Sequence, residues 1–457
     1  MRSLREKEKE VKISVVKRAS HILLIHPWIT DFAAYNLWVR PLGLLSIASL
    51  LRRHGFGVTL IDCLDSSMKP KKYEDGKFLR VKIEKPEPLR FFPGYYSRYG
   101  IPEEALTERF RSTEKPDLIG ITSGMTYWYP GVFRVIEMAR EVFTGVPIVL
   151  GGIYATLCYD HANQYSGADV VFRGGGEMEA VELIFKLTGT DSSDLNLRTP
   201  NSQLPTDLYP AFDLYPRLGY VCVATSRGCP FHCTYCASRF LTEGFSRRDP
   251  TQVVEEIQYW VSRYGVHNIA FYDDALLLDP GKHIIPILRE LIRKKIECHF
   301  HTPNGLHIRE TDEEVAGLLF RAGFKTIRLG FETSSEASQI ETGGKVNNRE
   351  FEKAVENLRK AGYSKEEIGV YIMAGLPGQR AREVEESIAF VRKVGARPML
   401  VEYSPIPGTP LFERARQLSP FDLENEPLFQ NNSIFPCQWE EFTTADYRRI
   451  KKEIRRR

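Results

Sequence analysis

The chain has 457 residues, 42% hydrophobic and 26% charged, with a formal net charge of +3. That length exceeds one ordinary core and implies two or three domains. The composition is that of a globular protein, with no apolar run long enough to cross a bilayer and no charge excess that would call for a polyanionic partner. The charged start, Met1 to Ser20, is unlike a secretory signal. The basic end (Arg448, Arg449, Lys451, Lys452 and Arg455 to Arg457) reads as a solvated helix end rather than a nucleic-acid site. A cytoplasmic protein is expected.

Two strand–helix series follow, with a change near residue 200. The first opens on the apolar run His21–His26, then a helical pattern from Pro41 to His54, stopped by Gly55–Gly57, and a strand at Val58–Cys63. A polar, Pro-rich stretch from Ser66 to about Pro102 reads as a surface excursion. Strands at Asp117–Ser123, Pro147–Gly152 and Asp169–Gly174 then alternate with helices at Gly131–Phe143, Ala155–Tyr165 and Glu177–Leu187. Short apolar strands alternating with helices imply a parallel sheet covered on both faces, with ligands beyond its carboxyl edge. Met125–Tyr129, Gly151–Gly152 and Gly174–Gly176 fall at that edge.

The polar segment from Asp191 to Pro210 reads as a linker. Beyond it, strands are expected at Tyr220–Ser226, Asn268–Asp273, Cys298–Thr302, Thr326–Glu332, Gly369–Ala374 and Met399–Ser404. Helical patterns separate them at Pro250–Arg263, Gly281–Lys294, Asp312–Arg321, Arg349–Ala361 and Arg382–Val394. Such repeats predict a parallel barrel or partial barrel, with its site at the carboxyl ends of the strands. The expected divisions are an N-terminal extension (1–19), a first α/β domain (20–190), a linker (191–217), the barrel (218–412) and a closing cap (413–457).

Of the eight cysteines, Cys63, Cys158, Cys222, Cys298 and Cys437 are scattered and read as buried hydrophobes. The others crowd into Arg227-Gly-Cys229-Pro-Phe-His-Cys233-Thr-Tyr-Cys236, in the loop after the first barrel strand. Three thiolates leave one iron of a four-iron cubane open to a substrate, whereas a fourth would close it. Zinc is the alternative, with Cys222 or His232 as the fourth ligand.

Cys-x3-Cys-x-aromatic-Cys after a first barrel strand resembles the radical S-adenosylmethionine (SAM) superfamily. The resemblance implies a [4Fe-4S] cluster held by Cys229, Cys233 and Cys236, whose open iron binds the amino and carboxylate groups of SAM. An electron from an external low-potential donor then cleaves SAM to methionine and a 5′-deoxyadenosyl radical. Tyr235 matches the family's aromatic position near the adenine. Strand parity turns Ile327, Leu329 and Phe331 toward the helices and Arg328, Gly330 and Glu332 inward. Charges there must pair or bind a ligand: Arg328 and Glu332 either satisfy each other or meet SAM, and Gly-Phe-Glu332-Thr resembles the family's fourth-strand motif. Asp273 and Asp274 stand where many members carry Gly-Gly-Glu, and either acid could take the SAM amino group. Gly375-Leu-Pro-Gly378 resembles the glycine segment beside the adenine. Thr302–Gly305 and Pro405–Thr409 are candidate substrate contacts, while His299 and His301 read as core histidines.

The first series, about residues 20–190, resembles the cobalamin-binding, flavodoxin-like (Rossmann-like) domain that precedes the barrel in one large radical SAM subgroup. The resemblance places Gly151 and Gly152 along the cobalamin nucleotide tail and Thr122 and Ser123 near a hydroxyl-bearing position. Gly174 and Gly176 belong to a turn where the backbone can approach a flat ligand closely. Met125–Tyr129 is either a wall against the corrin or packing under the excursion. The cobalt-ligating Asp-x-His-x-x-Gly motif is absent, since the loop reads His26-Pro-Trp28-Ile-Thr-Asp31. A bound cobalamin would lack that histidine, or the domain has kept its fold without the cofactor. The expected architecture is therefore a flavodoxin-like α/β domain followed by a partial (β/α)6 TIM-type barrel. The expected activity is cobalamin-dependent methyl transfer to an unactivated carbon of a small-molecule or natural-product substrate. Alternatives are a radical SAM cyclase or rearranging enzyme and, from another class, a non-catalytic iron–sulfur carrier or redox sensor. Nothing suggests an auxiliary cluster or an RNA-binding stripe.

Overall fold

A computed structural model describes residues 20–65, 71–174, 176–190 and 208–455. The expected extension (1–19), the linker's 191–207 and Gly175 lie outside the described residues. Among the described residues, no helix is long and apolar enough to cross a membrane.

The first sheet contains β1 (His21–His26), β2 (Gly57–Asp62), β3 (Leu118–Ile121), β4 (Ile148–Leu150) and β5 (Val170–Val171), all parallel, in the order β2-β1-β3-β4-β5. The period-2 alternation of β1 explains its two-sided burial. Ile22 and Leu24 pack with Leu44, Ala48, Val181 and Phe185 of the helices Leu42–Arg53 and Glu177–Thr188. Leu23 and Ile25 pack with Phe110, Val132 and Val135 on the other layer. The order reverses between β1 and β3, which puts a ligand crevice at their carboxyl ends.

The excursion differs from the expected surface loop. Ser97–Tyr99 lies between Ile29–Asp31 and Arg80–Lys82 as the centre of a small antiparallel sheet. Tyr96 is fully buried, its hydroxyl donating to the Thr30 carbonyl at 3.0 Å. Strands of three residues are too short to show a period, so the sequence reads there only as polar.

The second sheet contains β6 (Val221–Val223), β7 (Asn268–Phe271), β8 (His299–His301), β9 (Phe324–Glu332), β10 (Ile368–Ala374) and β11 (Arg397–Glu402), parallel and in sequential order. β6 and β11 are edges, so this is a partial barrel. Local signals set the connecting helices. Asp249 caps Pro250–Tyr264 by accepting from the Thr251 amide at 2.8 Å, and Gly265 ends that helix in the left-handed region. Asn347 and Glu350 form a capping box for Asn348–Ala361. On β9 the parity reading holds: Phe331 stacks on Phe351 of that helix, with ring centroids 4.2 Å apart.

The inner face carries Cys222, Ala270, His301 and Thr326 in register. The loop between β1 and the first helix threads into this half of the lumen. Trp38 stacks on His301 at 4.2 Å, and its carbonyl accepts from the Cys222 thiol at 3.0 Å and from the Tyr272 hydroxyl. His301 is a satisfied core histidine, bonded to Thr326 at 2.8 Å and to Asn268 at 3.2 Å, and burial holds its pKa down to about 3.

The first domain and the segment 208–217 share buried polar contacts. Asp62 meets His26 at 2.9 Å, Arg40 at 3.2 Å and the Tyr215 hydroxyl at 2.6 Å. Residues 208–217 are therefore anchored rather than slack: Phe212 is buried and the Tyr209 carbonyl accepts from Ser49. The C-terminal segment carries the helices Pro410–Leu418 and Thr444–Arg455 and spans both domains, with Asn431 donating to Asp31 at 3.0 Å and Lys451 pairing with Glu402 at 2.7 Å.

Candidate functional site

The cysteine loop leaves the carboxyl end of β6. Ser226–Arg227 pairs antiparallel with Ser246–Arg247 and closes its base. Gly228 is required at the turn, because its φ is +70° and a Cβ would stand 2.1 Å from the Gly244 carbonyl oxygen. Cys229, Cys233 and Cys236 are half-buried and within electrostatic range of one another. Burial pushes Cys229 up to about 11 and Cys236 above its ordinary value, a shift that a bound cationic centre would reverse. Among the described residues no three His, Cys, Asp or Glu side chains converge tightly enough for a single metal ion. Of the two candidate fourth zinc ligands, Cys222 is buried with its thiol on the Trp38 carbonyl and His232 is exposed. The donor set thus fits an open cubane better than tetrahedral zinc.

The two acids after β7 have different jobs. Asp273 is buried and accepts from the Thr225 amide at 3.0 Å, the Thr225 hydroxyl at 2.7 Å and the Ser226 hydroxyl at 2.6 Å. It fastens the start of the cysteine loop, and burial raises its pKa. Asp274 is exposed, accepts from the Ser238 hydroxyl, and lies within range of Cys229 and Cys236. Of the pair, Asp274 faces the loop.

Glu332 ends β9 with φ +68°, a conformation that non-glycine residues rarely hold and that recurs at functional positions. It does not pair with Arg328. Its carboxylate takes Lys345 at 2.6 Å and the Tyr235 hydroxyl at 3.3 Å. Burial alone would lower the Lys345 pKa, but Glu332, Tyr235 and Cys233 hold it well above its ordinary value. Lys345 arrives because Gly343 (φ +117°) lets its turn approach the Cys233 backbone, with a Cβ position 3.2 Å from the Cys233 Cα. Sequence reasoning missed Lys345; the signal available was Gly343-Gly344-Lys345 following the fourth barrel strand.

Arg328 is inward-facing but sits four residues below Glu332, in register with Gly369 and Arg397, and donates to the Ile327 carbonyl at 2.8 Å. Gly375 has φ +88°, and its open side is covered by the Phe435 ring, 2.8 Å from where a Cβ would stand.

In the first domain, Ser123 donates to the Gly151 carbonyl at 2.7 Å and accepts from the Ala155 amide at 3.2 Å. Gly152 has φ +96°, and a Cβ there would stand 2.4 Å from the Ser123 carbonyl oxygen. Ser123, Gly151 and Gly152 thus lock the ends of β3 and β4 together, while the Thr122 amide donates to the Ile25 carbonyl at 3.1 Å. Gly174 has φ +70° with open space where a Cβ would be, and Gly176 opens the next helix, its amide donating to Glu179 at 2.8 Å. The Met125–Tyr129 alternatives separate by residue. Tyr127 reaches Asn432 at 3.4 Å, Trp128 reaches Asp31 at 2.9 Å and Tyr129 reaches Glu426 at 3.1 Å, which is packing; only Met125 of these hydrophobes is exposed. His26 is committed through Nδ1 to Asp62.

Two contacts join the halves of the site. Arg227 of the cysteine loop forms an ion pair with Glu177, the residue after Gly176. The helix Ile153–Leu157, which follows Gly152, packs against Ser238–Leu241, which follows Cys236. The carboxyl edges of both sheets meet at the cysteine loop.

Comparison with known proteins agrees with this layout. Residues 223–391 match the family model of the radical SAM superfamily, and residues 95–184 match that of the B12 binding domain. An uncharacterised methyltransferase of Pyrococcus horikoshii is 25% identical over 364 residues, covering 72% of this chain and 73% of that protein. An anaerobic magnesium-protoporphyrin IX monomethyl ester cyclase of Rubrivivax gelatinosus is 24% identical over 388 residues, 76% of this chain and 68% of its own. The fold resembles that of TsrM from Kitasatospora setae, a radical SAM methyltransferase solved with cobalamin and a [4Fe-4S] cluster, with TM-score 0.64, 17% identity, and coverage of 88% of this chain and 79% of that one. The chain thus carries a radical SAM domain, matched over residues 223–391, behind a B12-binding domain, matched over residues 95–184.

Proposed function

We propose that this enzyme is a cobalamin-dependent radical SAM methyltransferase acting on an unactivated carbon of a small-molecule substrate. The observation that carries this reading is the junction of Arg227 with Glu177, which ties the cysteine loop to the B12-binding domain. When bound, the cluster and cobalamin supply radical initiation from SAM and methyl delivery. Cys229, Cys233 and Cys236 hold the cluster. Asp274 takes the SAM amino group, Lys345 faces its carboxylate, and Tyr235 and Glu332 border the rest of the molecule, with Gly375 nearby. The Tyr235 phenol is pushed up by burial and by Glu332, so it stays protonated and donates. Gly174, Gly176 and the edge locked by Ser123, Gly151 and Gly152, with Thr122 beside it, cradle the cobalamin. An external low-potential donor supplies the electron. Phe435, buried over Gly375, helps to keep water from the mouth.

Anaerobically reconstituted protein with SAM and a strong reductant is expected to give 5′-deoxyadenosine and S-adenosylhomocysteine in the presence of a competent substrate, and to retain corrinoid through purification. No 5′-deoxyadenosine from cluster-loaded protein, or no corrinoid retained, would remove the proposal. Ring formation without methyl transfer is the second reading, supported by the likeness to the Rubrivivax cyclase. It predicts 5′-deoxyadenosine with no S-adenosylhomocysteine.

A further inference from the structure

The lumen of the partial barrel is covered unevenly, with Gly305 packed over Gly330 and Tyr371 on its second half. On β6, β7 and β8 the inner residues Cys222, Ala270 and His301 have no exposed surface, because Trp38 and Tyr73 from the first domain cover them. On β9, β10 and β11 the inner positions Arg328, Tyr371, Arg397 and Met399 remain partly exposed. Strand register sets Arg328, Gly369 and Arg397 on one line across this half. Gly369 makes the line possible: a Cβ there would stand 2.8 Å from an Arg328 Nη and 2.6 Å from the Met399 sulfur. The two guanidinium groups therefore lie on one inner face, on either side of the Met399 sulfur that covers Gly369.

Neither arginine forms an ion pair with a described residue. Arg328 donates to its neighbour's carbonyl, Ile327, at 2.8 Å and lies against Tyr371, whose hydroxyl donates to the Pro303 carbonyl at 2.8 Å. Arg397 points one Nη at the Met399 sulfur, 3.8 Å away, and its Nε is buried with no hydrogen-bond partner. Asp75 lies within electrostatic range of Arg328 but is ion-paired to Lys71 at 3.7 Å. Burial opposes the Arg328 charge, and the neighbouring Arg397 adds to that opposition. Two adjacent cations are costly in a half-dry groove unless an anion joins them. Guanidinium forks match the oxygens of a tetrahedral oxyanion, and a dianion neutralises both while a carboxylate neutralises one.

We infer that Arg328 and Arg397 form the anion-recognition end of the substrate site, and that the substrate carries a phosphoryl or phosphonyl group. This rests on the proposed function, because it places that group below the cluster in the same lumen. Arg328 lies four residues, roughly 13 Å of strand, from Glu332 at the level of the cysteine loop. The reacting carbon and the anion of the substrate are then separated by on the order of 10 Å, once the reach of the arginine side chains is allowed for.

Equilibrium dialysis of the reconstituted full-length protein against radiolabelled inorganic phosphate tests this without turnover. Saturable retention is expected, displaced by methylphosphonate and much more weakly by acetate. Arg397→Gln and Arg328→Gln should each weaken it by about tenfold or more, and Arg397→Lys should restore part of the loss. Thermal melts and cluster absorbance of the same samples report whether each variant is folded, and the lysine variant keeps the test open if a glutamine variant is not. Phosphate retention unchanged in both glutamine variants would place the ion elsewhere and overturn the inference. Displacement by acetate as effective as by methylphosphonate would overturn the phosphoryl assignment. Failure to form 5′-deoxyadenosine, with phosphate retention intact, would instead remove the proposed function and leave the anion site standing.

Discussion

Lys345 offers the sharpest separation between a structural and a ligand-binding role. Its ammonium is 2.6 Å from Glu332, with side-chain exposures of 18% and 10%. Replacing it by Met strips the cation from a nearly buried carboxylate and should cost about 3 kcal/mol of folding stability, the usual penalty for breaking one partner of a buried pair. Lys345→Met with Glu332→Gln removes both charges and should recover most of that loss. If Lys345 also holds the SAM carboxylate, affinity for SAM behaves differently. A lost charge-assisted contact is worth about 1.5–3 kcal/mol, roughly 10- to 100-fold in Kd, and the double variant does not regain it. Denaturant melts give the first quantity, and equilibrium binding of SAM to the cluster-loaded protein gives the second. A double variant that recovers stability and binds SAM as tightly as the native enzyme would refute the argument, because Lys345 would then serve only to neutralise Glu332.

Two further outcomes follow from the way the domains and the segment 208–217 are joined. Burial works to raise the pKa of Asp62, but His26, Arg40 and Tyr215 together hold it well below the ordinary carboxylate range. A carboxyl depressed in the folded state stabilises above its unfolded pKa of about 4 and loses that contribution as the pH falls further. The melting midpoint should therefore fall more steeply below about pH 4 in the native protein than in Asp62→Asn, and parallel acid curves would count against a lock between Asp62 and the segment 208–217. Arg227→Gln cuts the tie to Glu177 while leaving all three cysteines in place. It should keep the cluster absorbance and lower the ratio of S-adenosylhomocysteine to 5′-deoxyadenosine by about tenfold, because a small misplacement between reacting centres costs that much or more. An unchanged ratio would mean that the ion pair does not set the register of the two halves.

The parts of this molecule that could be read from its sequence are those governed by short-range rules. The period of β1 reports two buried faces because successive side chains must alternate, and the parity of β9 correctly turns Phe331 outward and Glu332 inward for the same reason. The spacing of Cys229, Cys233 and Cys236 is local, so the donor set is visible before any fold is known. What the sequence could not show depends on residues far apart in the chain. Asp273 and Asp274 are adjacent and chemically identical; only the Thr225 and Ser226 donors, nearly fifty positions upstream, make one a fastener and leave the other free to face the loop. Glu332 has two candidate cations, and the one on its own strand lost, because four residues of extended chain carry Arg328 about 13 Å away while a glycine turn brings Lys345 back. Arg328 is then left beside Arg397, a neighbour separated from it by one strand and sixty-nine positions, and their shared lack of a carboxylate is what a sequence can least express. A half-buried charge without an ionic partner is evidence about something outside the chain, and only the packed lumen identifies which charges those are.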